Sequence, residues 1–161
     1  MKALKTTFLV DCDYGWILDC HMTTTRKYDT KIGPDLLRRM PDSIEVLVAD
    51  KGYADSDFRE RIRKLGITEQ IKYKEHNEAD EMANAFLDER DYSQRSFVES
   101  VMFVMKEKFG EAVLSHTWHD QFKEMVGRSI AYNLDRALRE GISFVFATIR
   151  MISKPRQFAS N

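Results

Sequence analysis

The sequence predicts one mixed α/β domain in which an antiparallel hairpin precedes parallel strands flanked by helices, and three observations carry that prediction. Short apolar runs of strand length occur at 4–13, 16–23, 43–50 and 67–74, bounded by Asp, Gly or Pro. The first two are separated only by a tight turn and must pair antiparallel, whereas the others are joined by helix-forming stretches that suit crossover connections. The chain has 161 residues, 43% hydrophobic and 32% charged, enough for one domain with a proper core and short for two domains.

The elements follow in order from local chemistry. "LKTTFLVDCD" has the apolar character of a strand buried on both faces, "DYG" turns the chain, and "WILDCHMT" returns it. In that hairpin Cys12 lies beside the turn, out of register with Cys20, so no disulfide is expected. A third short strand is allowed before the next helix. Pro34 suits the first position of a short helix reaching Arg39, with Pro41 beyond its end. "SIEVLVAD" at 43–50 is an apolar strand closed by Asp50. Residues 55–65 form an amphipathic helix with Phe58, Ile62 and Leu65 on one side and Gly66 as its stop. "ITEQIKYK" at 67–74 is a weaker strand. Residues 75–91 carry seven acidic side chains and suit an insertion or loop that can include a helix.

A helix follows, started by Asp91 with Gln94 as a capping box and stopped by Gly110. A second long helix spans about 118–140, where Phe122, Met125, Val126, Ile130, Leu134 and Leu138 keep helical spacing. Residues 141–161 form a C-terminal tail with an apolar first half. His116 and His119 flank the helix start near Thr117 and lack a third metal ligand, so they are expected to be ordinary surface or capping histidines.

Composition excludes several classes. No apolar run reaches the roughly 18–20 residues of a membrane span, and "GISFVFATIRMIS" is interrupted by Arg150. The N-terminus lacks a signal-peptide core, which leads us to expect a cytoplasmic protein without a membrane partner. The net charge of −1 hides locally basic segments at 59–74 and 95–108. A balanced total neither favours nor excludes nucleic acid when positive charge gathers on one face.

Two apolar strands end in aspartate, at Asp11 and Asp50. Each alone also fits an ordinary turn start. On adjacent parallel strands the pair would converge at the sheet edge where open α/β sheets bind ligands, and the helix of Glu99 can bring a third carboxylate. Three such groups repel one another unless cations hold them, and hard oxygen ligands suit two Mg²⁺, with Mn²⁺ as a substitute. Two ions of this kind activate a water or a 3′-hydroxyl against a phosphodiester. Tyr92, Arg95, Glu99 and Lys106 share one face of the helix. Arg95 and Lys106 suit phosphate oxygens, and Tyr92 suits a phosphate or an exposed base. The spacing equally fits a solvated helix face with an Arg95–Glu99 ion pair.

These residues resemble the DDE transposases of prokaryotic insertion sequences. Tyr92, Arg95, Glu99 and Lys106 satisfy that family's helix signature of Tyr, two residues, Arg, three residues, Glu, six residues and Lys. "ADKGY" (49–53) is similar to its Asp-x-Gly-Tyr/Phe motif, and "FLVDCDYGWILDCHMTTTRKYD" (8–29) to its first-strand region. "HTW" (116–118), "QF" and "YNLDRAL" (132–138) resemble the helical end of such proteins, particularly archaeal ones. The resemblance implies a ribonuclease H-like fold over residues 1–140, with Asp11, Asp50 and Glu99 as catalytic and metal-binding residues for two Mg²⁺, and Tyr92, Arg95 and Lys106 as DNA-binding residues. It implies hydrolysis at transposon ends followed by strand transfer to target DNA, near the nucleoid, without a small-molecule cofactor. A homodimer follows by analogy.

The chain departs from the pattern in two places. With Met1 just before the first strand, we expect this chain to lack the family's usual N-terminal end-recognition segment, and Tyr28 precedes Asp29 where the family often has His. Two other readings therefore stand beside the active transposase: a catalytically silent DNA-binding remnant or regulator, and a nuclease of the same fold that is not a transposase.

Overall fold

A computed structural model of the protein describes the backbone of residues 5–23, 29–39 and 44–152. The hairpin forms as the sequence predicts: β1 (Lys5–Val10) pairs antiparallel with β2 (Ile17–Thr23), Phe8 opposite Cys20, with a register shift at Leu9/Val10. In β1 only Phe8 is fully buried, so the strand covers one core rather than lying between two. Both cysteines are free thiols. The allowed third strand, Tyr28 and Pro41 lie outside the described residues.

The next helix, α1 (Asp29–Leu37), begins earlier than the proline signal predicts, and Pro34 lies inside it. The reason is packing: Ile32, Leu36 and Leu37 are buried, and a Cβ on Gly33 would come within 2.6 Å of the Phe58 ring. Tertiary contact outweighs the loss of one amide donor at Pro34. After β3 (Val46–Ala49) and a 3-10 turn at Lys51–Tyr53, Asp55 caps α2 (Ser56–Lys64) by accepting from Asp57 N and Phe58 N. Phe58 and Ile62 face inward as expected, but Leu65 ends the helix exposed and Ile67 takes its place in the core. β4 (Thr68–Ile71) then pairs parallel with β3.

Among the described residues the strands form two separate two-stranded sheets, β1–β2 and β3–β4. Each has its own core. Phe8, Ile17 and Met22 pack with Val101 and Met105 of α5 (Ser96–Phe109) and with Met125 and Tyr132 of α6 (Trp118–Ile152). Leu37, Phe58, Ile62, Ile67 and Ile71 make the second core. Beside it Arg59 is buried: its guanidinium donates to Ile71 O at 2.8 Å, pairs with Glu69 at 3.1 Å and covers the Tyr73 ring at 3.7 Å.

The acidic segment holds two helices rather than a loop. α3 (Glu78–Ala85) is capped by Asn77, and α4 (Glu89–Ser93) by Asp88. The expected capping box at Asp91 and Gln94 does not form, because Asp88 takes the capping role three residues earlier and Gln94 and Arg95, both in right-handed helical dihedrals, make a tight turn before α5 begins. Gly110 ends α5 at φ 81°, as its position predicts.

α6 continues past residue 140 to Ile152, so the expected boundary at 140 falls within a helix. Its Met125 is buried and its Val126 packs on the first core, whereas Phe122, Ile130, Leu134 and Leu138 are exposed, because only one side of α6 meets the sheet. The helix clasps the hairpin through Asn133, which accepts from Ile17 N and donates to Ile17 O, both at 2.9 Å. No described helix is long and apolar enough to cross a membrane.

Glu124 joins the α5–α6 connection to α6. Burial would raise its pKa, but the Ser115 hydroxyl, the amides of Leu114 and Ser115 and the Arg128 guanidinium outweigh that effect and lower it to about 2. A depressed carboxylate pKa contributes stability above its unfolded value of about 4.5 and loses it as pH falls towards 2. We therefore expect chemical unfolding across that window to show a steeper acid loss of stability in the wild-type chain than in Glu124→Gln.

Candidate active site

The open sides of the two sheets frame a cavity of about 330 Å³. Consecutive residues of β1 (Thr6, Thr7 and Phe8) and of β3 (Leu47, Val48 and Ala49) line it. Successive strand side chains alternate between faces, so a wall of consecutive residues is a strand edge, and the cavity lies between the edges of β1 and β3. Val98 and Met102 of α5 contribute further wall, and Asp50, Arg95 and Glu99 lie at the same cavity.

Each of these polar groups is positioned by its element. Asp50 directly follows β3, and its carboxylate accepts from Lys51 N at 2.8 Å, capping the 3-10 turn. Gly52 lies in this turn without a positive φ, and Tyr53 packs against Phe58 with ring centroids 6.1 Å apart. Glu99 stands in the first turn of α5. Arg95, the residue immediately before that helix, brings one guanidinium nitrogen to 3.8 Å from Asp50 Oδ1 and 3.9 Å from Glu99 Oε1. The side chains are 60% exposed at Asp50, 74% at Glu99 and 40% at Arg95, so these pairs are wet and each is worth at most about 1 kcal/mol.

Tyr92 belongs to α4, with its ring centroid 5.3 Å from the Arg95 guanidinium carbon. On its other contact the Lys72 ammonium lies 4.7 Å from the same centroid. Lys72 was not singled out by its sequence; its position just after β4 and its basic charge were the available signals. Lys106 is separate from this group and pairs with Glu111 at 3.5 Å.

Asp11 is placed differently. It follows β1, and its Oδ1 accepts from Asp13 N at 2.8 Å and Tyr14 N at 3.3 Å, closing the hairpin turn. It does not line the cavity. Beside it, burial and then the charges of Asp11 and Asp13 hold the Cys12 thiol above its ordinary pKa. Among the described residues, no three potential metal ligands of the His, Cys, Asp and Glu types come together, His116 and His119 included. The structure thus joins Asp50, Arg95, Glu99 and Tyr92, and leaves Asp11 and Lys106 apart.

A strand-end carboxylate, a helix carboxylate and a shared arginine, facing solvent at the open side of an α/β fold, define an acidic site bordered by cations. The sequence matches the Transposase DDE domain family over residues 2–134, and the chain belongs to that family. Membership makes it a transposase-family protein, of the polynucleotidyl transferase and nuclease type, whose business is DNA transposition and recombination. No curated protein and no solved structure matches the chain.

The turn holding Asp11 depends on Gly15, whose φ is 68° and whose added Cβ would lie 2.8 Å from Phe97 and 2.9 Å from Arg136. A left-handed non-glycine residue costs about 1–2 kcal/mol before any clash is counted. We expect Gly15→Ala to lower unfolding stability by about 2 kcal/mol or more, measured by urea denaturation.

Proposed function

We propose that the chain is the catalytic domain of an insertion-sequence transposase, with a ribonuclease H-like fold spanning residues 1–140, that hydrolyses DNA at element ends and transfers the freed strand. The observation that most supports this reading is the meeting of Asp50 and Glu99 at one nitrogen of Arg95, because three members of two separate sequence motifs share one solvent-facing cavity. Asp11 would complete the acid set. Direct pairing of β1 with β3 would order the sheet β2-β1-β3-β4 and set Asp11, one residue past β1, beside Asp50, one residue past β3.

The donor chemistry suits a hard divalent cation, since carboxylate oxygens are what Mg²⁺ and Mn²⁺ prefer. Asp50 and Glu99 would hold it, with Asp11 as the third ligand. When bound, two such ions supply an activated water or 3′-hydroxyl and stabilise the leaving oxygen. The chain's own residues bind and orient the strand. Arg95 exchanges its carboxylate contacts for a phosphate fork, Lys106 offers a point charge to a phosphate further along, and Tyr92 offers a hydroxyl or ring face. In hydrolysis, water attacks phosphorus and the 3′-oxygen departs to become a hydroxyl; in transfer, that hydroxyl attacks a target phosphodiester and displaces its 3′-oxygen. Partners are element ends and target DNA, and a second copy of the chain by analogy with paired-end assemblies.

Nicking of supercoiled plasmid in Mn²⁺ tests this directly. We expect activity in the wild-type chain and its loss, by 100-fold or more, in both Asp50→Asn and Glu99→Gln; equal nicking by all three would overturn the assignment.

A further inference from the structure

We infer that Lys72, outside the four-residue helix signature, is a further DNA phosphate contact, forming with Tyr92 and Arg95 a cationic and aromatic strip that leads to Asp50 and Glu99. The inference rests on the DNA reading above. The order along the strip follows from contacts: the carboxylates meet the Arg95 guanidinium, Arg95 lies 5.3 Å from the centre of the Tyr92 ring, and the Lys72 ammonium lies 4.7 Å from that same centre.

The juxtaposition is built by the fold. Lys72 directly follows β4, and the buried Gln70 of that strand accepts from Asp88 N at 3.2 Å. Asp88 caps α4, and its carbonyl accepts from Tyr92 N at 2.8 Å. One strand end and one short helix are thereby tied, each carrying one half of the Lys72–Tyr92 contact. Beyond Lys72, Asn84 clasps the backbone of Tyr73 at 2.7 Å and holds the acidic helix α3 against the strand end. That acidic helix bounds the strip and repels a backbone passing further.

The ring contact, rather than charge balance, distinguishes Lys72 from Lys74 and Arg90, which likewise have no ion pair among the described residues. Among the described residues Arg63 and Lys64 each have a carboxylate partner, whereas the Lys72 contact is to a ring face. A ring attracts an ammonium through its quadrupole without neutralising it. The full charge of Lys72 remains available to a phosphate oxygen, and the Tyr92 hydroxyl offers a hydrogen bond to the same backbone. A strand following the strip would meet Lys72, Tyr92 and Arg95 in turn before reaching the carboxylates.

Fluorescence anisotropy with a short labelled duplex of arbitrary sequence, at several salt concentrations, tests the inference against Lys72→Gln, Lys72→Arg and the exposed control Lys123→Gln. We expect Lys72→Gln to bind about five-fold more weakly at low salt, with its salt slope reduced by about one, while Lys72→Arg and Lys123→Gln stay near wild type. Wild-type binding with an unchanged affinity and slope in Lys72→Gln would overturn this inference and leave the DNA reading standing. Failure of the wild-type chain itself to bind would overturn both.

Discussion

A two-stranded sheet cannot bury enough surface to stand alone in water, and this constraint shapes the molecule. Each pair of strands must find its own cover. β1 and β2 lie against α5 and α6, and β3 and β4 against α1 and α2, so each pair of strands has its own apolar core. The interval between them is the cavity, walled by the edges of β1 and β3. What lies at that cavity is decided by chain direction: Asp50 leaves the end of β3 there, and the first turn of α5 delivers Glu99 beside it.

The electrostatics of this cavity follow from exposure. Two carboxylates sharing one guanidinium in water are weakly coupled, each contact being worth at most about 1 kcal/mol. Arg95 therefore adds little to folding and can leave these partners when a phosphate or a cation competes. The buried pair of Arg59 and Glu69 is the contrast. Arg59 is tied to the Ile71 carbonyl and the Tyr73 ring as well as to Glu69, and removing one partner of such a buried pair costs about 3–5 kcal/mol. One arginine belongs to the scaffold and the other is free to serve a ligand.

Much of this was legible in the residues. The hairpin, α2 and its stop, the apolar strand ending in Asp50 and the end of α5 at Gly110 follow from short-range rules about turns, caps and periodicity. The failures have a common origin in long-range packing. Pro34 is a start signal by local chemistry, yet the fit of Gly33 against Phe58 draws the preceding residues into the helix. Asp91 is a capping residue by spacing, yet Asp88 is the one tied to β4 through Gln70. Within the site, Arg95 and Glu99 are one helical turn apart and their contact was legible, whereas Lys72 depends on a strand and a helix meeting, which no local pattern encodes. The "YNLDRAL" segment shows the same limit from the other direction: Tyr132 is core and Asn133 clasps β2, so its work is to hold the hairpin.

The central claim is that Asp11, Asp50 and Glu99 act on one divalent cation centre although Asp11 closes its own turn apart from the cavity. Titration of the chain with Mn²⁺, followed by paramagnetic broadening of backbone amide NMR signals, tests it most directly. The account predicts that, at low Mn²⁺, signals of the Asp11 turn, of the Asp50–Lys51 segment and of the first turn of α5 broaden together. Broadening confined to the acidic helix α3, or to Asp50 and Glu99 with the Asp11 turn unaffected, would contradict it.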